Sequence, residues 1–187
     1  MFYEKKENID KYIKLAQGYD GRALVEILRQ FLPEASSVLE LGMGPGKDLL
    51  ILNEFFDCVG SDRFPYFLEI FKEKHPNFKM EVIDALEMNT TFVVDAIFSN
   101  KVMHHFSKEE LKTSLSNQAQ HLTKNGIVAH SFWKGDKNEV IEKTFFQYYL
   151  EEELVEIFSH AFEPQVHALY SEMDRDDSIF IIARKKN

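Results

Sequence analysis

The sequence predicts a three-layer α/β sandwich built on a seven-stranded, mostly parallel sheet with an antiparallel C-terminal strand. Three observations support this fold class. Short apolar runs typical of buried strands alternate with segments of helical period along most of the chain. The first of these runs, at 38–41, enters a glycine-rich turn and then a helix. The last two, at 165–170 and 178–183, have no helix between them, which is typical of an antiparallel hairpin.

The elements follow one another in a regular order. Two helices precede the first strand, the first at 10–16 and the second beginning at Asp20 as its N-cap and ending before Pro33. Strands are predicted at 38–41, 58–61, 79–83, 92–98 and 127–132. The terminal strand pair is expected to close the sheet at an antiparallel edge.

Helices are predicted between these strands and after them. The segments 48–56 and 65–74 have helical period, and the spacing of Ser107 to Glu110 is that of a capping box at the start of another helix. Two helical stretches are predicted from Asn138 onward, the second with its apolar face around Leu154 and Phe158.

Composition restricts the class of protein. A chain of 187 residues predicts one domain spanning 1–187, and a net charge of -9 disfavours a nucleic-acid partner. Cys58 is the single cysteine, which excludes an internal disulfide and is typical of a reducing, cytoplasmic location. No apolar run approaches the roughly 20 residues of a membrane span, and no histidine has a metal-ligand spacing to Cys or carboxylate, so neither a membrane nor a metal is expected.

Gly42, Gly44 and Gly46 form a turn between the first strand and its helix. Glycine permits close approach of backbone to a ligand, and the helix start supplies free N–H donors, so this turn predicts a small-molecule site. Lys47 stands where a dinucleotide-binding turn needs a third glycine for helix packing. Asp48 stands where a phosphate-binding P-loop needs Ser or Thr, which argues against a polyphosphate.

Polar residues end four successive predicted strands: Glu40, Asp62, Asp84 and Asn100. The carboxyl ends of parallel strands share one edge, where ligands bind in such sheets. Each acid alone is typical of a turn or a helix cap, but together they favour a site. Asp62 follows Gly42 at the distance of a carboxylate that accepts from ribose hydroxyls, a feature of nicotinamide and of other adenosine cofactors, so both classes remain open.

Six segments, by their order and spacing, resemble motifs of the class I S-adenosylmethionine-dependent methyltransferases, in particular the small-molecule branch with a bare catalytic domain. They are 38–46 (the first motif), 60–65 (ribose), 83–86 (adenine), 98–106 (after the fourth strand), 122–128 (into the fifth) and 176–185 (the last strand). The resemblance covers the chain from about Tyr12 onward. It implies a Rossmann-like core at 37–187, with N-terminal helices at 1–36 that cover the cofactor and acceptor site.

The resemblance also implies an activity, which is transfer of a methyl group from S-adenosylmethionine to O, N, S or C of a small or medium-sized organic acceptor, with S-adenosylhomocysteine as product. The implied cofactor-binding residues are Tyr19, Glu40, Gly42, Met43, Gly44, Gly46, Asp62, Arg63, Asp84, Ala85, Leu86, Asn100 and Lys101. Among them Glu40 and the glycine turn would hold the methionine, and Asp62 the ribose. Arg63 and Asp84–Leu86 would surround the adenine, and Asn100 and Lys101 would line the methyl side. Met43 departs from the family, which often has a smaller residue there.

Catalysis by alignment of a nucleophile with an activated methyl donor needs no dedicated catalytic residue. If the acceptor must lose a proton, His104 and His105 are the candidate bases, and the alternative is that they pack the turn before Ser107. Candidate walls of the acceptor pocket are Phe132, Trp133, Phe145, Phe146, Tyr148 and Tyr149, and candidate lid residues are Tyr12 and Tyr19. Core packing is the expected role of most of these aromatic residues, and Trp133 and the tyrosines, with their polar tips, are better pocket candidates than the phenylalanines.

Two other functions are compatible with the residues. A nicotinamide-dependent oxidoreductase is favoured by the glycine turn with Asp62 and opposed by Lys47. A regulatory protein that binds the cofactor without turnover would keep the same motifs. The sequence predicts neither the acceptor nor the oligomeric state, because a fold and a cofactor site do not specify them.

Overall fold

The computed structural model describes residues 6–15, 18 and 20–186. Its helices are α1 (Lys6–Leu15), α2 (Arg22–Leu28), α3 (Lys47–Leu52), α4 (Pro65–Lys74), α5 (Lys108–Gln120) and α6 (Glu151–Phe158). Its strands are β1 (Ser37–Leu41), β2 (Asp57–Asp62), β3 (Lys79–Val82), β4 (Val94–Ser99), β5 (Leu122–Trp133), β6 (Asn138–Ile141), β7 (Thr144–Gln147), β8 (Phe162–Tyr170) and β9 (Ser178–Lys185). A short 3-10 turn spans Met103–His105.

The main sheet has seven strands in the order β3-β2-β1-β4-β5-β9-β8, which confirms the predicted fold class. Strands β1 to β5 are parallel, and β9 is antiparallel to both of its neighbours. The two C-terminal strands close the sheet as the expected antiparallel hairpin, with β9 inside the sheet and β8 at its edge. Burial explains this order, since the first six residues of β9 are all buried, whereas β8 alternates between more and less exposed positions.

The two faces of the sheet carry separate apolar cores. Successive residues of a strand point to opposite faces, so Ile97 packs with the α5 and α6 side, whereas Ala96 and Phe98 pack with helices α2, α3 and α4. Helices thus cover both faces, and the chain forms the predicted three layers. None of the helices in the described part of the chain has the length and apolar character that a membrane crossing requires.

The segment after Asn138 was predicted to be helical, and this was wrong. It forms the hairpin β6–β7, a separate two-stranded sheet whose strands are joined at Glu142 and Lys143. These two residues have φ angles of 48° and 66°, as a tight two-residue hairpin turn requires. The hairpin strands are rich in β-branched and aromatic residues such as Val140 and Phe145, which favour strands over helices. The second predicted helix of this region is confirmed as α6.

The first two helices differ from their predicted bounds. Helix α1 begins earlier, at Lys6, and the expected end of the helix at Ala16 lies outside the described residues. The N-cap of α2 is Gly21, and Asp20 stands one residue outside, where its Oδ1 accepts the Arg22 N–H at 3.0 Å. Helix α2 therefore starts two residues after the predicted cap.

The capping box of α5 gives a direct test of helix stabilisation. The Ser107 Oγ accepts the Glu110 N–H, and the Glu110 carboxylate accepts the Ser107 N–H at 2.8 Å. We expect Ser107→Ala to lower the free energy of unfolding by about 1 kcal/mol, measured by urea denaturation. The control is Ser116→Ala, an exposed serine within the same helix whose hydroxyl donates to the Lys112 carbonyl. Equal losses in the two variants would contradict a specific role of the cap.

Candidate functional site

The glycine turn after β1 uses its three glycines in different ways. A Cβ at Gly42 would lie 2.5 Å from Cγ2 of Val102, and one at Gly46 would lie 2.3 Å from the Phe71 ring. At Gly44 the nearest atom is Cε1 of Tyr12, at 3.7 Å. Two glycines are therefore required by packing, whereas Gly44 leaves open space. Because all three have positive φ angles, other residues would also strain the backbone.

Met43 packs beneath this turn. Its side chain is 4% exposed and belongs to the core that α2, α3 and α4 cover. Its sulfur lies 2.7 Å from the position of a Cβ at Gly60, and its N–H donates to the Ser61 carbonyl at 2.7 Å. The larger residue thus fills the core, where Gly60 leaves room for it.

Asp62 connects the turns that follow β1 and β2. Its Oδ2 accepts the Gly44 N–H at 3.1 Å, and its Oδ1 accepts the Phe64 N–H at 2.9 Å. The residue is 6% exposed, and burial raises the pKa of its carboxyl to about 6 although these hydrogen bonds favour the charged form.

Two more carboxyl groups lie at the same edge of the sheet. Glu40 is 2% exposed, and its Oε2 has no hydrogen-bond partner among the described residues. Burial, and then the charges of Asp48 and Asp62, raise the pKa of Glu40 well above its usual value. Asp48 accepts the Gly21 N–H at 2.6 Å and the Asn100 side-chain amide at 2.9 Å, and burial raises its pKa as well. The site thus concentrates carboxyl groups away from water, and a cationic ligand would stabilise their charged forms.

The chain after β4 is held by a run of hydrogen bonds. Asn100 donates to Asp48, and its Oδ1 accepts the Ser131 hydroxyl at 2.5 Å. The Lys101 N–H in turn donates to the Ser131 Oγ at 2.8 Å. Lys101 has a φ of 56°, which is uncommon for a residue with a side chain. These bonds fix Asn100 and Lys101 beside the glycine turn.

The predicted adenine segment lies at the ends of β2 and β3. The Asp84 Oδ1 accepts the Leu86 N–H at 2.9 Å, and its Oδ2 is 3.6 Å from Nη2 of Arg63. The Ala85 carbonyl accepts the Ser114 hydroxyl of α5 at 2.6 Å. These contacts give the segment a defined shape.

Two cavities of about 370 and 350 Å³ lie side by side along this edge. The larger is lined by Asp62, Arg63, Asp84, Ala85 and Leu86, and the smaller by Glu40, Met43, Asp48 and His104. Residues that line both cavities are Tyr12, Gly42, Gly44, Asn100, Lys101 and His105. The structure therefore brings the predicted residues together, apart from Gly46, which packs below the turn, and Tyr19, which lies outside the described residues.

The two candidate bases form a hydrogen-bonded pair. The Phe145 carbonyl lies 2.9 Å from Nδ1 of His105, so that nitrogen carries the proton and the His105 Nε2 is an acceptor. The Nε2 of His104, at 3.2 Å, donates to it. The Nδ1 of His104 then holds an unprotonated lone pair, and it is a buried atom without a partner among the described residues. Burial lowers the pKa of both imidazoles, which keeps them uncharged at neutral pH.

The predicted aromatic walls divide into two groups. Trp133, Phe145 and Phe146 line the cavities, and Phe146 stacks on His104 with ring centroids 5.3 Å apart. Phe132 and Tyr149 are fully buried in the core, which agrees with the alternative of core packing for Phe132 and goes against the preference for Tyr149 as a pocket residue. The alternation of side chains along β5 explains this, because Phe132 and Trp133 point to opposite faces. Tyr148 donates to Glu139 of the hairpin and lines neither cavity.

Four residues of the site were not identified from sequence. In the sequence, Asp48 argues only against a polyphosphate ligand. Its place in the first turn of α3, directly after the glycine turn, was the signal that it lies at the site. Ser131 is a small residue inside an apolar strand, and that contrast was an available signal. Glu172 and Met173 line the smaller cavity from the β8–β9 loop, where no pattern in the sequence marks them. Within residues 6–15, 18 and 20–186, no group of three or more His, Cys, Asp or Glu side chains is placed to hold a metal ion.

The buried Glu40 carboxyl gives a test of the electrostatics. A pKa raised in the folded state means that stability falls as the pH rises above the usual value of 4.5 until the folded pKa is passed. We expect Glu40→Gln to raise the free energy of unfolding by about 1 kcal/mol at pH 8, with a smaller gain toward pH 5. Thermal unfolding at both pH values measures this, with the exposed Glu69→Gln of α4 as control. A destabilised E40Q protein at pH 8 would contradict the assignment.

Comparison with known proteins shows a similarity to methyltransferases. Residues 38–126 match a family model described as a methyltransferase domain. The 1,6-didemethyltoxoflavin-N1-methyltransferase of Burkholderia thailandensis, solved with 1,6-didemethyltoxoflavin and S-adenosylhomocysteine, shares 18% identity and a TM-score of 0.81, over 95% of this chain and 83% of that chain. The N-methyltransferase NodS of Bradyrhizobium japonicum, in complex with S-adenosylhomocysteine, shares 13% identity and a TM-score of 0.71, over 100% of this chain and 95% of that chain.

One curated protein also matches part of the sequence. It is the U3 small nucleolar RNA-associated protein 20 of Schizosaccharomyces pombe. The identity is 32% over an alignment of 114 residues, which covers 55% of this chain. The match spans 4% of that protein's length. The family match, the strand order and the fold shared with the two bacterial enzymes all agree. The chain is therefore similar to a methyltransferase domain over residues 38–126, and it shares its fold with enzymes solved with S-adenosylhomocysteine.

Proposed function

We propose that this protein is a class I methyltransferase that transfers a methyl group from S-adenosylmethionine to a small organic acceptor and releases S-adenosylhomocysteine. The adenosine part of the cofactor would lie in the larger cavity, and its methionine part would share the smaller cavity with the acceptor. The observation that carries the proposal is the junction of the two cavities at Gly44, Asn100 and Lys101. A donor and an acceptor in adjoining cavities meet where the cavities join, and alignment of this kind supplies a large part of the rate enhancement in group transfer.

The residues of the larger cavity fit an adenosine. The Asp62 carboxylate is the hydrogen-bond acceptor that two ribose hydroxyls need, and Asp84, Ala85 and Leu86 form the proposed adenine wall with Arg63 at the rim. The open space at Gly44 leaves room for a ligand beside the backbone.

Polar residues of the smaller cavity fit the methionine part of the cofactor. The Glu40 Oε2 is buried without a partner among the described residues, and the ammonium of a bound methionine group would supply one. Asp48 and Asn100 complete this polar wall. The bound cofactor supplies a methyl group already activated by a sulfonium, so the protein's task is to orient the acceptor and to exclude water.

The smaller cavity has walls suited to a flat organic molecule. Trp133, Phe146 and Met173 supply apolar surface, and the two histidines supply polar atoms among them. The Burkholderia thailandensis enzyme was solved with a small-molecule compound, and this supports a small acceptor here.

We assign the histidine pair to the acceptor rather than to the cofactor. Neutral imidazoles avoid repulsion with a sulfonium cation, and the lowered pKa of each keeps it neutral. The lone pair on Nδ1 of His104 fits the N–H or O–H of an acceptor, which it would orient or deprotonate.

Helix α1 supports the proposed role of the N-terminal segment 1–36 as a cover. Its Tyr12 lines both cavities, and Lys11 Nζ lies 3.4 Å from the Glu142 carboxylate at the tip of the β6–β7 hairpin. We propose that α1 and this hairpin together shield the bound cofactor and acceptor from water.

Cofactor affinity tests the proposed role of Asp62. We expect Asp62→Asn to weaken S-adenosylhomocysteine binding by at least about tenfold, measured by isothermal titration calorimetry at pH 7.5, because one charged acceptor of hydroxyl donors is lost. Because the ligand binds the ionised carboxylate, affinity in the unmodified protein should fall as the pH drops through about 6, the pKa of Asp62.

The control for this experiment is Asp57→Asn, at the opposite end of the same strand. Asp57 is exposed and paired with Lys79, far from the carboxyl edge. Its substitution should leave the affinity and its pH dependence unchanged. Unaltered S-adenosylhomocysteine binding in D62N would refute the proposed ribose site.

Turnover tests the proposed reaction. We expect the protein to convert S-adenosylmethionine to S-adenosylhomocysteine only when a panel of small nitrogen, oxygen and sulfur nucleophiles is supplied, with the product measured by mass spectrometry. Binding of S-adenosylhomocysteine without turnover of any panel member would favour the regulatory function instead.

A further inference from the structure

The smaller cavity contains an ion pair between Lys101 and Glu172. The Lys101 Nζ lies 3.2 Å from Oε2 of Glu172 and donates to the Ser178 Oγ at 2.6 Å. It also lies 3.2 Å from the centroid of the Trp133 ring. The Tyr170 hydroxyl donates to the same Glu172 oxygen at 3.4 Å. Two donors, one of them charged, therefore converge on a single carboxylate at the wall of the proposed acceptor pocket.

The lysine is the fixed member of this pair. Its backbone is held by Ser131 in a left-handed conformation, and its side chain, 12% exposed, runs between Trp133 and Ser178. A non-glycine residue in this conformation costs free energy and persists only where the surroundings enforce it. Such strain at a cavity wall is typical of a residue placed for function.

Glu172 is the exchangeable member. It lies in the β8–β9 loop, whose main chain is held independently by the Asp177 carboxylate, which accepts the N–H groups of Glu172 and Met173, each at 2.9 Å. Rotation of the Glu172 side chain therefore leaves these loop bonds intact. This side chain is 21% exposed, more than that of Lys101, so it has access to water.

The charge of Lys101 limits what can replace Glu172. Burial lowers the pKa of Lys101 to about 8, although Glu172 acts in the opposite direction. A buried ammonium that loses its partner is left uncompensated, which is strongly unfavourable. A neutral ligand that displaced Glu172 would carry this penalty, and a cationic ligand would add repulsion from Lys101. A ligand with a carboxylate would replace the Glu172 carboxylate and would keep the charge of Lys101 compensated.

We propose, on the basis of the methyltransferase function argued above, that the acceptor carries a carboxylate, and that this group replaces Glu172 between Lys101 Nζ and the Tyr170 hydroxyl. In the absence of the acceptor, the Glu172 carboxylate occupies this position between Lys101 Nζ and the Tyr170 hydroxyl. Glu172 therefore acts as an internal competitor that selects for acidic acceptors over neutral ones of the same shape.

The test uses protein saturated with S-adenosylhomocysteine and three probes of one shape: benzoate, benzamide and benzylamine. Binding is measured by ligand-observed NMR titration. Benzoate should bind at least about tenfold more tightly than benzamide or benzylamine. Glu172→Gln should strengthen benzoate binding by about tenfold because it removes the competing charge, and Lys101→Met should weaken it by a similar factor.

The matched control is Glu151→Gln, which removes a carboxylate of similar exposure, 4.0 Å from Lys134 and outside both cavities. It should leave all three affinities unchanged. Equal binding of benzoate and benzamide, preference for benzylamine, or weaker benzoate binding in E172Q would each overturn the proposal. The benzoate affinity of E172Q tests the proposal even if the K101M protein does not fold. Failure of S-adenosylhomocysteine itself to bind would refute the proposed function, whereas its binding without probe discrimination would refute this inference alone.

Discussion

Three carboxyl groups withdrawn from water at one edge of the sheet are the constraint on which the site depends. Glu40 and Asp62 are almost fully buried, and Asp48 is held between Gly21 and Asn100. Charges in such places oppose folding unless hydrogen bonds or a counterion offset the loss of hydration. Asp62 obtains two backbone N–H groups, one of them from Gly44, whose positive φ is tolerated because it has no side chain. The Glu40 Oε2 has no hydrogen-bond partner among the described residues, and this fits a site that binds a cationic ligand.

The strand order explains why these groups meet. Strand β1 lies between β2 and β4, so the chain leaves it toward one side of the sheet and returns on the other, which opens a crevice at the carboxyl ends. The glycine turn and Asp62 form one wall of this crevice, and Asn100 forms the other. A hydrogen bond from Asn100 to Asp48 spans it.

The antiparallel strand β9 carries the chain back to the proposed acceptor cavity. Because β9 runs opposite to β5, its first residue Ser178 pairs with Trp133, the last residue of β5. The loop that precedes β9 therefore stands at the same edge as the proposed cofactor site, and Glu172 reaches Lys101. In an all-parallel arrangement that loop would lie at the opposite edge. The position of β9 inside the sheet thus places the β8–β9 loop beside the smaller cavity.

The sequence by itself determined the alternation of strands and helices and the polar residues at the strand ends, because burial on both faces imposes apolar runs and tight turns impose glycines. It did not determine the β6–β7 hairpin, where short-range strand propensity overrode an apparent helical pattern. Only the tertiary structure decided that Tyr149 belongs to the core, that Lys101 and Glu172 form a pair, and that one nitrogen of His104 has no partner among the described residues. These features depend on contacts between residues far apart in the chain, which local periodicity does not encode.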